Sequence, residues 1–83
     1  MKKIILGILI TNRLTKAPEV QKLFSQYGCN IKTRLGLHDV SADSCSPSGL
    51  VLLEMFGKEE EILSMEKALK AIEGLQVQKM IFE

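Results

Sequence analysis

A chain of 83 residues that is 46% hydrophobic and 25% charged, with two Pro, six Gly and no low-complexity tract, is one globular domain over residues 1–83, not a disordered tail, a collagen-like repeat or a linker. Eleven Lys and Arg against ten Asp and Glu leave a formal charge of +1, which gives no electrostatic footprint for nucleic acid or for an anionic membrane surface. A domain of this size buries only about 60–65% of the surface its unfolded form exposes, so a sequence this apolar points to self-association.

Met1-Lys2-Lys3 and the apolar run Ile4 to Ile10 mimic the start of a signal peptide. Thr11 to Lys16 follow in place of a small-residue cleavage site, so the run is expected to be a strand of a cytoplasmic protein. Nothing approaches the ~20 consecutive apolar residues that span a bilayer. Residues 4–10 do not alternate, which marks a strand covered on both faces and hence central in its sheet. Thr11 to Lys16 read as a loop, and Pro18 suits the first turn of a helix running to about Tyr27. Ala17, Val20, Phe24 and Tyr27 give its apolar stripe, with Leu23 beside them and Gly28 as a left-handed stop.

From Asn30 the period becomes two, with Ile31, Thr33, Leu35 and Leu37 on one face and Lys32 and Arg34 on the other, the pattern of an edge strand. The Ser-rich stretch from Asp39 to Ser48 reads as the one long connection. Leu50 to Phe56 is a second nearly continuous apolar strand, also central. Glu59-Glu60-Glu61 then opens a second helix at the positive end of its dipole, with Lys67 and Lys70 toward the other end. Ile62, Met65, Leu69 and Ile72 form its buried stripe, and Glu66 and Lys70 are spaced as an exposed pair. Gly74 ends it, and Leu75 to Phe82 is the other edge strand.

The order is βαββαβ, and the fold class is α+β: a ferredoxin-like sandwich with an antiparallel sheet ordered 4-1-3-2 and both helices on one face. The second face then has no helix over it, although both central strands point apolar residues there: Ile5 and Leu9 in one register, or Ile4, Leu6, Ile8 and Ile10 in the other. A second copy of the chain is the simplest cover, giving a homodimer or homotetramer through this face.

The segment from Asn12 through Ile31, closing on Tyr27-Gly28-Cys29-Asn30-Ile31, resembles an ACT domain, and the run Ile5-Leu6-Gly7-Ile8, the turn Asn12-Arg13, the segment Tyr27-Gly28, the strand Arg34-Leu35-Gly36-Leu37 and the ending of the last strand resemble the small bacterial regulators of iron-only hydrogenase systems. Those proteins look like free-standing ACT-type domains and are similar in fold to the metal-sensing C-terminal domain of the nickel-responsive regulator. The resemblance implies a homo-oligomeric module that senses a small ligand or a metal ion at a subunit interface and passes the change to a partner regulatory protein. It also carries ligand binding to Asn12 and Arg13, because ACT-type domains hold ligands near the turn after the first strand.

The chemistry of those residues agrees: helix-start N–H groups and an Asn amide hold carboxylate or phosphate, and Arg clamps it bidentately. The plainer reading is that Asn12 shapes the turn and Arg13 is solvated. Arg34 is open to two readings, a ligand contact or an interfacial salt bridge. Gly36 marks a bulge or a close approach.

His38, Asp39, Asp43 and Cys45 form the one cluster of metal-competent side chains; imidazole and thiolate suit nickel, zinc or iron, with a second subunit completing the sphere. Cys29 and Cys45 form no Cys-x-x-Cys pair, which fits a reduced compartment, and Cys29 reads as a small buried hydrophobe. Met55, Met65 and Met80 read as core and interface filling. No catalytic triad or phosphate loop is present, leaving a small ferredoxin-like enzyme using His38 as one alternative and a purely structural association domain as the other. Direct nucleic-acid binding lacks central-strand aromatics and a recognition helix.

Overall fold

The computed structural model describes the backbone of residues 2–11, 13–40 and 45–83, and the side chains of 2–11, 18–36 and 49–83. The elements are β1 (Lys3–Ile10), α1 (Arg13–Gln26), a 3-10 turn (Gly28–Asn30), β2 (Ile31–Val40), β3 (Cys45–Met55), α2 (Glu59–Lys70) and β4 (Leu75–Phe82). All strand pairs are antiparallel, and the sheet order β2-β3-β1-β4 is the expected 4-1-3-2.

The register decides which face of β1 is core. Ile4, Leu6, Ile8 and Ile10 are at most 5% exposed and pack with Leu53 and Met55 of β3, Val20 and Phe24 of α1, and Ile62, Met65 and Leu69 of α2. Ile8 therefore belongs to the helix-covered side, and a charge placed there would unfold the domain and not merely separate subunits. Ile5, Gly7 and Leu9 face the side that no helix covers.

Five local expectations are corrected. The helix begins at Arg13, well before Pro18, because Arg13, Leu14, Lys16 and Ala17 are good helix formers and the ring removes only one bond of the ladder. Gly28 is not left-handed: it opens the 3-10 turn, and the positive-φ glycines are Gly57 (98°) and Gly74 (90°). The long connection shrinks, since β2 and β3 pair as far as Val40 opposite Cys45. That part of the hairpin runs past Ile10, the end of β1, as a two-stranded ribbon. In β2 a register shift between Ile31 and Thr33 puts Ile31 opposite Met55 on the helix side, while Thr33 and Leu35 face the open side. Gly36 lies at no bulge, and nothing stands within 4 Å of a Cβ added there.

Two buried polar groups tie the elements together. The Asn30 amide donates to the Phe56 carbonyl and to Glu61 Oε1, both at 3.1 Å, while the Asn30 carbonyl accepts from the Phe56 N–H at 2.7 Å. A Cβ on Gly57 would meet Asn30 Nδ2 at 2.9 Å, so the turn into α2 needs glycine for both its φ and its space. Glu66 is not the exposed residue expected: its side chain is 9% exposed and is bracketed by Lys79 of β4 at 3.0 Å and Lys70 at 3.3 Å. Burial raises its carboxyl, but hydrogen bonds from Lys79 and Lys70 and their charges outweigh that and hold it below its ordinary value.

A carboxyl depressed in the folded state contributes stability that is present above its unfolded pKa and is lost as the pH falls through the folded one. Lys79→Met should therefore lower stability by about 1–2 kcal/mol at neutral pH. In paired denaturant titrations the gap from wild type should close as the pH falls below the ordinary carboxylate range; a pH-independent gap would show that packing, not the ion pair, is lost.

Candidate functional site

Strand pairing brings the backbone positions of Arg13 and His38 to one end of the sheet. Ile10, the last residue of β1, pairs with Gly49, and Gly49 pairs with His38. Arg13 opens α1 three residues after Ile10, and the ribbon carrying Cys45 extends from the same end. The Thr11 hydroxyl and N–H donate to the Gly74 carbonyl at 2.7 and 3.3 Å, which closes this end against the start of β4. Asn12 and Asp43 lie outside the described residues, as do the side chains of Arg13, His38, Asp39 and Cys45. Among the described residues no group of three or more His, Cys, Asp or Glu is arranged to hold a metal ion. Cys29 is an exposed free thiol on the 3-10 turn, not the buried hydrophobe expected, because that turn runs along the surface with Asn30 as its buried member.

Arg34 does not join this end. It pairs with Leu53, which lies opposite Leu6 in mid-sheet, and on the helix side its guanidinium lies 4.8 Å from the Phe24 ring centroid. Its Nη1 donates weakly to Gln21 Oε1 at 3.5 Å. The guanidinium shields the edge of the core ring and remains exposed to solvent, so a planar anion could stack there only from outside.

The open face of the sheet is a second feature. Ile5 and Leu9 of β1 share it with Leu50 and Leu52 of β3, Leu35 of β2 at 51% exposed, and Met80 and Phe82 of β4 at 52% each. Its polar corner is Glu54, which accepts from Thr33 at 3.0 Å and lies 3.2 Å from Lys3 and 4.0 Å from Lys32. Hydrogen bonds from Lys3 and Thr33, and the lysine charges, lower the Glu54 carboxyl despite some desolvation.

At the other end of β1 is a recess of about 260 Å³, floored by Ile4, Met55 and Ile62, with Phe56 and an ion pair of Lys2 and Glu59 (3.0 Å) at its mouth. The hydrogen bond and charge of Glu59 raise the Lys2 ammonium, so the two charges at the mouth answer each other. Hydrophobic period carries no sign of this recess, which forms beside the left-handed Gly57 turn with Phe56 64% exposed at its rim.

No family model and no curated protein sequence matches the chain. Similar solved structures exist. An uncharacterized protein of Thermotoga maritima superposes over the whole of both chains with a TM-score of 0.83 at 20% identity. A PII-like nitrogen regulatory protein of Thiomonas intermedia K12, solved with ADP, AMP and bicarbonate, gives 0.58 at 12% identity, covering 100% of this chain and 94% of that one. A formyltetrahydrofolate deformylase of Pseudomonas putida KT2440 gives 0.55 at 12% identity, with 94% of this chain matching 28% of the enzyme. The shared feature is the ACT-like, ferredoxin-like fold.

If Arg34 acts by covering Phe24, Arg34→Ala should cost about 0.5–1 kcal/mol in chemical denaturation with no ligand present. No loss of stability would remove the packing role and leave solvent or a ligand as its partner.

Proposed function

We propose that this chain is an ACT-like regulatory module that associates with itself through the open sheet face and senses a small anionic ligand or a divalent metal at the C-terminal end of β1. The observation that supports the reading is that the α1 start at Arg13 and the β2 position of His38 share that end of the sheet, with Cys45 farther out on the same β2–β3 ribbon. A helix start presents N–H groups to an anion, and imidazole and thiolate suit nickel, zinc or iron. The PII-like neighbour was solved with adenine nucleotides and bicarbonate, which makes AMP, ADP and bicarbonate the first ligands to try. The resemblance to regulators of iron-only hydrogenase systems extends the reading to a partner regulatory protein as the receiver of the signal.

Self-association is supported by surface area. The chain exposes 5623 Å², against about 5,000 Å² for a typical monomer of 9.3 kDa. The apolar open face is a surface that association would remove from water. An association domain without a ligand is favoured by the same face, and ligand binding decides between the two.

Thermal unfolding with AMP, ADP, bicarbonate, amino acids, nickel and zinc makes that decision. A ligand at a hundredfold excess over its Kd adds about 2.7 kcal/mol, a rise in Tm on the order of 10 °C for a domain of this size. Arg13→Ala should reduce an anion-induced rise, and the double variant His38→Ala with Cys45→Ala should abolish a metal-induced one. No rise with any of these at millimolar concentration would contradict the sensor and leave the association domain.

A further inference from the structure

The two edges of the sheet are not alike. An edge strand offers unpaired N–H and C=O groups to any other strand, and natural edges are blunted by charges, bulges and Pro. β2 is blunted: its register shifts at Ile31/Thr33 and at His38/Val40, and Lys32 and Arg34 are exposed along it. β4 is not. It pairs with β1 in unbroken register from Leu75 to Phe82, and it contains no Pro. Its one charged residue, Lys79, is turned beneath the sheet to Glu66 at 3.0 Å. Met80, Ile81 and Phe82 stand 52%, 43% and 52% exposed.

The direction of the outer groups follows from the hydrogen bonds. The Thr11 N–H donates to the Gly74 carbonyl, and the Leu75 N–H turns back to the Ile72 carbonyl. In an antiparallel ladder the bonding direction alternates, so Val77, Lys79 and Ile81 point their N–H and C=O away from β1.

We propose that this edge is a self-association surface: β4 of one copy pairs antiparallel with β4 of a second copy about a two-fold axis at Gln78, joining two four-stranded sheets into one. The strand is complementary to itself in that register. Leu75 lies opposite Ile81, Gln76 opposite Met80, Val77 opposite Lys79, and Gln78 opposite its own copy, where two side-chain amides pair. Between Leu75 and Ile81 no like charges meet, Glu73 and Glu83 falling opposite each other only beyond the strand ends, whereas an axis at Lys79 would set two ammonium groups opposite each other at the centre of the interface. Self-complementarity of this kind is what a closed two-fold interface requires, and it is why a second copy, not a foreign extended peptide, is the occupant. The proposal rests neither on the ligand reading nor on the open face, and the two surfaces together would build a tetramer.

Gln78 is exposed, so Gln78→Lys and Gln78→Glu should leave the fold intact, as checked by circular dichroism. Each variant alone should weaken association in sedimentation by about fivefold or more, because like charges then face each other across the axis. Gln78 also lies beside Gly7 on the open side, so a mixture of the two variants and the exchange of outer-edge amides separate the edge from the open face. An equimolar mixture of the two should recover wild-type association. Hydrogen exchange on the wild type needs no variant: the Val77 and Lys79 amides should be protected at concentrations where the protein is assembled and exposed on dilution. Wild-type association in both variants, a mixture no tighter than its components, or fast exchange of those amides in the assembled protein would overturn the proposal.

Discussion

The sidedness of the sheet governs the rest of the molecule. Both crossovers lay their helices on one face, and β1 alternates between Ile4, Leu6, Ile8 and Ile10 beneath them and Ile5, Gly7 and Leu9 on the other side. One residue of slip in β1 would exchange the two sets and move four buried Ile and Leu side chains into solvent, at about 1.5–3 kcal/mol each. The register is thus held by the helix-facing core, while the open face keeps an apolar surface that the core does not need.

Polar groups fix what the core leaves free. Asn30 couples the end of β3, the Gly57 turn and the first turn of α2 through three hydrogen bonds. Glu66 draws Lys79 under the sheet and so joins α2 to β4. That bond also directs the one charge within β4 to the helix side of the sheet. Glu54, gathering Lys3, Thr33 and Lys32, sets a polar corner on the open face that any facing surface would have to match.

Much of this architecture was legible in the sequence, because hydrophobic period reports burial directly. The stripe Ile62, Met65, Leu69 and Ile72, the two continuous strands and the two mixed ones were enough to order the sheet. What the period could not carry was sidedness and tertiary partnership. Arg34 looked like an outward polar residue, but a register shift two residues earlier turned it over Phe24. Glu66 looked exposed because its i+4 partner is local, while the partner that buries it is thirteen residues away on another element. Asn30 looked like a strand start, and its amide bonds depend on a turn twenty-six residues later. Of the candidate ligand positions, Arg13 and His38 were each visible as residues, but the shared end of the sheet where their backbone lies is a consequence of the β1–β3 and β2–β3 pairing.

The central claim is that this fold is completed by further copies of itself. Multi-angle light scattering of the wild-type chain across micromolar concentrations tests it most directly. The account predicts a particle whose mass is an even multiple of 9.3 kDa, with two or four copies. A stable species of 9.3 kDa across that range would contradict it.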